Sequence, residues 1–189
     1  MKGKLLGAVS ALVLLSGPAM AAPDIISAVK DSTARVVGEF SAEITRSTQG
    51  FANAVVINDM YEVAAGRIAM ERTRSPQVRT FARKMVDAHA GTTARLKATI
   101  RNNNVNVTLP DRMDARRRGM LDDLRGASAR NFDHRYLVQQ VAAHKEVDIL
   151  VHRYSKVGKI NAVRDFAART DRLIEMHLSM AQDLLNKNR

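Results

Sequence analysis

Met85-Val86-Asp87-Ala88-His89-Ala90-Gly91-Thr92-Thr93-Ala94-Arg95-Leu96 is the stretch on which the reading of the chain turns. Met85, His89, Thr92 and Leu96 stand at i, i+4, i+7 and i+11, which is the spacing of one face of an α-helix. Val78, Phe81 and Ala82 extend the stripe backwards and Ile100 extends it forwards. Ser75 before Pro76 is a good start signal, because the hydroxyl caps a free backbone N–H and proline lacks the N–H the first turn would leave unpaired. Asn102-Asn103-Asn104 ends the helix at about residue 101. A histidine therefore occupies a position in this stripe where hydrocarbon is the usual occupant.

Three further long helices follow from the same periodicity. One runs over about 51–72 through Val55, Val56, Met60, Val63, Ile68 and Ala69, and Thr73-Arg74-Ser75-Pro76 closes it. One spans about 129–157, with Ser128 as N-cap and Gly158 as stop, and the last spans about 161–185 with Asn161 as cap. Between the two pairs, residues 105–126 form a crossover containing Leu109-Pro110 and a charged piece, Asp114 to Arg125, that suits a short helix. Composition agrees: 46% hydrophobic residues but only 4% aromatic, with 10 Gly and 4 Pro in 189 residues, argues for packed helices over a β-sandwich or a disordered chain. Two helix pairs with short turns and one long crossover predict an all-α, antiparallel four-helix bundle over 51–187. A faint internal repeat, Val78-Arg79-Thr80-Phe81-Ala82 against Val163-Arg164-Asp165-Phe166-Ala167, points the same way.

Residues 1–21 read as a secretory signal. Lys2 and Lys4 precede an apolar run from Leu5 to Leu15, Gly17-Pro18 ends it, and Ala19-Met20-Ala21 supplies the small residues of a cleavage site. The run is too short for a span of roughly 20 apolar residues. Export to the periplasm is expected, with outer-membrane association as the alternative and no transmembrane span after cleavage. Residues 22–50 read as an amphipathic N-terminal helix, through Ile25, Val29, Val36, Val37, Phe40 and Ile44, or as a linker that Ser47-Thr48-Gln49-Gly50 terminates. The absence of Cys excludes disulfides, thiolate metal sites and cysteine nucleophiles, so the fold rests on burial alone.

The stripes of the other helices repeat the surprise at His89. Val141, His144, Val147 and Val151 put His144 on the buried face, and Leu173, His177, Met180 and Leu184 do the same for His177. Glu62 shares a face with Val55, Ala65, Gly66 and Ala69, where a lone charge is costly to bury. One inward polar residue per helix is the arrangement by which bundles build metal and cofactor sites. A buried Glu–His hydrogen-bond network that fixes register is the competing account. His134 and His152 fall off the stripes and read as surface or rim positions, while Met85, Met176 and Met180 read as core filling.

The runs Phe51…Glu62-Val63…Arg67-Ile68-Ala69, Val78…Phe81-Ala82…Met85-Val86-Asp87-Ala88-His89, Phe132-Asp133…Tyr136-Leu137…Val141…His144 and Phe166-Ala167…His177-Leu178…Ala181 together resemble the domain-of-unknown-function 4142 family over about Phe51 to Leu185. The resemblance implies a ferritin-like four-helix bundle in an exported protein of unsettled activity, with Glu62, Asp87, His89, His144 and His177 at the family's polar positions. Two departures stand out. Asp171-Arg172 replaces a Leu-Pro pair before the last His motif, and the acid–His spacings are Asp87-x-His89 and Glu175-x-His177. At about 100° per residue, i and i+2 point roughly 200° apart, so neither pair can share the inward face as a di-iron Glu-x-x-His pair does. That leaves Glu62 as the one inward carboxylate. A single transition metal ion, zinc, copper or iron, held by Glu62, His89, His144 and His177 is then the metal hypothesis.

Other classes have less behind them. No Gly-rich phosphate loop, G-x-S-x-G elbow or H-E-x-x-H pattern occurs, so no catalytic residue is marked out. The formal charge of +11, or +9 once Lys2 and Lys4 are removed, suits an anionic envelope surface, with Arg116-Arg117-Arg118 the densest run. A solvated helix face is the ordinary reading of such a run, and without interleaved aromatics it argues against nucleic acid. The alternative function is a non-catalytic structural or interaction domain; the metal reading carries a further expectation of a role in envelope stress. Amino-terminal sequencing of the exported form should begin at Ala22; an intact Met1 in that fraction would overturn the signal reading.

Overall fold

The structure, a computed structural model, describes residues 47–188. The signal segment 1–21 and all but the last few positions of the 22–50 segment lie outside the described residues. Five helices follow one another: α1 (Thr48–Arg72), α2 (Pro76–Asn102), α3 (Ala115–Gly126), α4 (Phe132–Val157) and α5 (Asn161–Lys187), with no strand among the described residues. The four long ones form the bundle. α1 packs chiefly on α2 and α4 on α5, each pair joined by a short turn; α2–α5 and α1–α4 contacts join the pairs, and α3 braces α1 and α4 from the crossover.

The helix ends show which local signals prevailed. Ser75 caps α2, its hydroxyl accepting from Val78 N with Pro76 in the first turn, as the sequence predicts. Asp114 caps α3 in the same way through Arg117 N. α1 begins at Thr48 rather than at 51: Ser47, in extended conformation, caps it, and Thr48-Gln49-Gly50 form its first turn. Thr48 and Gln49 are held there by Tyr154 Oη and the Thr108 backbone. α4 begins at Phe132 rather than 129, and Asn131, not Ser128, is its cap, without a side-chain bond. Asn161 is the first residue of α5, and its side-chain Oδ1 accepts from Arg164 instead of capping. Gly158 does end α4, but at φ −61° it needs no left-handed conformation. Its reason is space, since a Cβ would lie 2.4 Å from the Tyr154 ring.

The apolar core is in two parts. Around Tyr61, Phe81, Met85, Leu124, Phe132, Tyr136 and Leu137 lies the half toward the α1–α2 turn. Around Phe51, Leu96, Leu150, Tyr154, Phe166 and Ile174 lies the half toward the α4–α5 turn. The sequence positions between these halves, Glu62 on α1, His89 on α2, His144 on α4 and His177 on α5, are all fully buried. Met85 and the partly buried Met180 pack in the core as expected, whereas Met176 is 45% exposed, because α5 turns that flank to solvent.

Arg116-Arg117-Arg118 is not a solvated run. Arg117 is buried, Arg116 half-buried, and both donate to the buried carboxylate of Glu146 on α4, Arg116 through two nitrogens at 2.9 and 2.7 Å and Arg117 at 2.9 Å. Arg117 also lies over the Tyr61 ring at 5.0 Å. A buried carboxylate requires such partners, so two of the three charges fasten the crossover to the bundle, and only Arg118 is exposed.

Close approach of α1 and α2 depends on Gly66: a Cβ there would meet Val86 Cγ2 at 2.7 Å and the Ala82 carbonyl oxygen at 2.9 Å. Backbone cannot yield as a side chain does, so Gly66→Ala should destabilise the fold by about 1–3 kcal/mol. Urea denaturation measures it, and an unchanged midpoint would show that the helices separate without cost.

Candidate functional site

Between the two apolar halves the three histidines converge. The ring centroids form a near-equilateral triangle, His89–His144 at 5.4 Å, His89–His177 at 5.6 Å and His144–His177 at 5.6 Å. One nitrogen of each lies within 4.8 Å of those of the other two. All three rings are removed from solvent.

Each ring's other nitrogen reports how it is held. His144 Nδ1 lies 2.9 Å from the Gln140 backbone oxygen, which can only accept, so Nδ1 carries the proton and the neutral ring has its lone pair on Nε2. His89 Nδ1 donates to Asp59 Oδ1 at 2.7 Å, and Thr93 Oγ1 donates to the other Asp59 oxygen at 2.7 Å. His89 Nε2, His144 Nε2 and both nitrogens of His177 have no hydrogen-bond partner. An imidazole fixed through Nδ1 to a carboxylate or a carbonyl, with Nε2 free, is the orientation metal-binding histidines adopt.

Glu62 stands beside the triad and is not part of it. Its Oε2 accepts from Gln140 Nε2 at 2.7 Å, while Oε1 is unpartnered and lies 3.8 Å from His144 Nδ1. The mutually close group comprises the three imidazoles alone. Of the four proposed ligands, the structure brings His89, His144 and His177 together, and Glu62 lies next to them outside that close group. Nor is Glu62 the one buried carboxylate: Asp59 is buried on the same face of α1, and Glu146 is buried against α3. Asp59 precedes Glu62 by three residues, so the two share a helix face and the signal was present in the sequence. Gln140, which serves both Glu62 and His144, was missed for the same reason: it lies one turn before His144. Asp87 and Glu175 are exposed, as the i, i+2 argument requires.

Burial disfavours charge throughout the layer. It pushes the Glu62 carboxyl above its ordinary range, with His89 and the Gln140 hydrogen bond opposing. His144 is held well below the usual imidazole range by burial and then by His89 and His177. His177 falls to about 3, through burial, His89 and Lys84. At His89 burial also works against charge, but the Asp59 hydrogen bond and charge outweigh it and the net shift is upward. Two lone-pair donors are therefore neutral far into acid, and the third sits where the surroundings favour positive charge. A second group, Asp148, Asp171 and Glu175, lies at the rim of α4 and α5, where exposed His152 contacts Asp171 at 3.1 Å.

The sequence profile of the family described as Domain of unknown function (DUF4142) matches residues 37–184, most of the chain, and the chain belongs to that family. The match reaches back past Phe51 into the segment read as helix or linker. No curated protein and no solved structure matches the chain.

The titration of His177 gives a test. Folded, in the presence of EDTA, the ring stays neutral to about pH 3, while in the unfolded chain it protonates near 6.5. The unfolded state therefore gains a proton first, and stability is lost as pH falls below 6.5. From pH 7 to pH 5 that one residue should remove about 2 kcal/mol, so His177→Gln should gain about that much on the wild type over this range. His89, shifted the other way, is common to both proteins and cancels. Parallel stability–pH profiles would contradict the assignment.

Proposed function

We propose that the chain is an exported protein that binds a single transition metal ion through His89, His144 and His177, in a bundle of ferritin-like type. The observation that carries the reading is the trio of converging imidazoles whose inward nitrogens have no partner. Leaving a buried polar atom unpaired costs about 1–3 kcal/mol, and four such nitrogens lie on these three rings. A cation shared by three of them removes most of that cost. A set of three neutral nitrogens suits zinc, copper or iron(II) and gives no preference for magnesium or calcium.

The surrounding groups support the same reading. Asp59 on His89 and the Gln140 carbonyl on His144 fix ring orientation and raise ligand basicity. The surroundings that raise the His89 affinity for a proton would favour a metal cation in its place. The ferritin-like reading rests on two helix pairs joined by a long crossover with polar groups facing inward from every helix. Export rests on the amino-terminal signal pattern; no helix among the described residues is long and apolar enough to cross a membrane. The Glu62–Gln140 and His89–Asp59–Thr93 hydrogen bonds favour a second reading, a structural network in a non-catalytic domain.

Metal addition separates the two. Zn²⁺ or Co²⁺ should bind purified, EDTA-stripped protein at one ion per chain, and a free concentration a hundredfold above Kd should stabilise it by about 2.7 kcal/mol. His144→Ala and His177→Ala should each abolish the shift, whereas Glu62→Gln should retain it. No thermal shift with zinc, copper or iron(II) would leave the network as the function of these residues.

A further inference from the structure

Along the groove between α2 and α5, beyond the histidine layer, lies a cleft of about 530 Å³ with no carboxylate in its lining. Arg95 borders it from α2 and Arg169 from α5. The ion pairs of the described residues engage Arg112, Arg116, Arg117, Arg125 and Arg135 but neither of these two. Arg95 makes one hydrogen bond, from Nη2 to Thr92 Oγ1 at 3.0 Å. Two cations facing one cleft without an acid repel each other, and an anion between them turns that repulsion into attraction.

The rest of the lining has a polarity that specifies more than charge. Ala98 and Phe166 make an apolar wall beyond the arginines toward the α2 C-terminus, while Leu173 lies on their histidine side. Asn102 and Asn103 close the far end, where the Asn103 amide nitrogen donates to Thr99 O at 2.9 Å and leaves its side-chain oxygen as an acceptor. That end coincides with the carbonyl terminus of α2, whose partial negative charge rejects an anion and accepts a neutral donor. The order along the groove is cationic, apolar, neutral polar. The volume lies in the range of about 300–1,000 Å³ typical of small-molecule sites, and a bare inorganic anion would leave the apolar wall unused.

We propose that this cleft binds a small organic anion. Its carboxylate lies between Arg95 and Arg169, its flat or short aliphatic body against Ala98 and Phe166, and a neutral hydrogen-bonding group at Asn102 and Asn103. Guanidinium–carboxylate pairing supplies the specificity, since each planar fork can donate two parallel hydrogen bonds. The site shares no lining residue with the three histidines.

The test is an NMR titration of ¹⁵N-labelled protein in EDTA with 4-hydroxybenzoate, which has this order of groups. 4-Hydroxybenzamide, of the same shape without the charge, and inorganic phosphate, the charge without the body, are the comparisons. Saturable shifts are expected at the Ala98, Thr99 and Phe166 amides, with a Kd at least tenfold below that of either comparison. Arg95→Gln with Arg169→Gln should weaken binding tenfold or more at unchanged Tm. Should the double variant misfold, Arg169→Gln alone, at an exposed position of α5, should weaken binding at least threefold. No saturation up to the solubility limit, equal binding of the amide or of phosphate, or full binding by the folded variants would each overturn the proposal.

Discussion

A four-helix bundle ordinarily gains its stability from one continuous apolar seam, and this one is interrupted. At mid-height every long helix contributes a fully buried polar side chain, Glu62, His89, His144 and His177, and the hydrocarbon core lies in two halves on either side. The desolvation of that layer constrains everything else. It requires Asp59 and Thr93 behind His89 and Gln140 behind His144 and Glu62, and it holds the His144 and His177 rings neutral. It also fixes register, because sliding one helix by a turn would place an imidazole in hydrocarbon and a leucine or valine among unpaired nitrogens.

Such a layer has to be assembled without cross-links, since the chain has no cysteine. The apolar halves supply the holding force, and Gly66 lets α1 and α2 approach at the level just below it. The crossover is secured by charge instead: Arg116 and Arg117 carry α3 onto Glu146, two residues beyond His144. Because i and i+2 face opposite ways on a helix, α4 can give its imidazole to the centre of the bundle and its carboxylate to α3. A single short stretch, His144 to Glu146, thereby serves both the layer and the brace.

How much of this was legible in the sequence divides along a physical line. Periodicity reports which face a residue is on, and it located the four helices, the short crossover helix and all three inward histidines. It does not report what a residue meets across the bundle. Glu62 faces inward as read, yet it lies outside the close group of nitrogens, 3.8 Å from His144 Nδ1, because its depth depends on where α1 sits against α4. Arg117 looked like solvated charge because the carboxylate that buries it is 29 residues away on another helix. Asp59 and Gln140 were within reach: each lies one turn from a residue already singled out. Local competition explains the displaced caps, where Asn161 Oδ1 is taken by Arg164 and Ser128 is out of register with the helix that forms.

The geometry also bears on what kind of centre this would be. The carboxylate-rich di-iron arrangement needs acids that share a face with the histidines and reach the same point. Here Asp87 and Glu175 face solvent, Asp59 is engaged with His89 Nδ1 and Thr93, and Glu62 is held by Gln140. Only imidazole nitrogens converge. Three neutral donors would leave the charge of a divalent ion uncompensated in a buried layer, where the acids next to the rings are Asp59, bonded to His89, and Glu62, 3.8 Å from His144 Nδ1. Asp59 thereby fixes the orientation of His89 through Nδ1 and would help balance the charge of a cation bound at the triad. The layer is thus built as one unit, in which the anion that keeps His89 in place would also help make a bound cation tolerable.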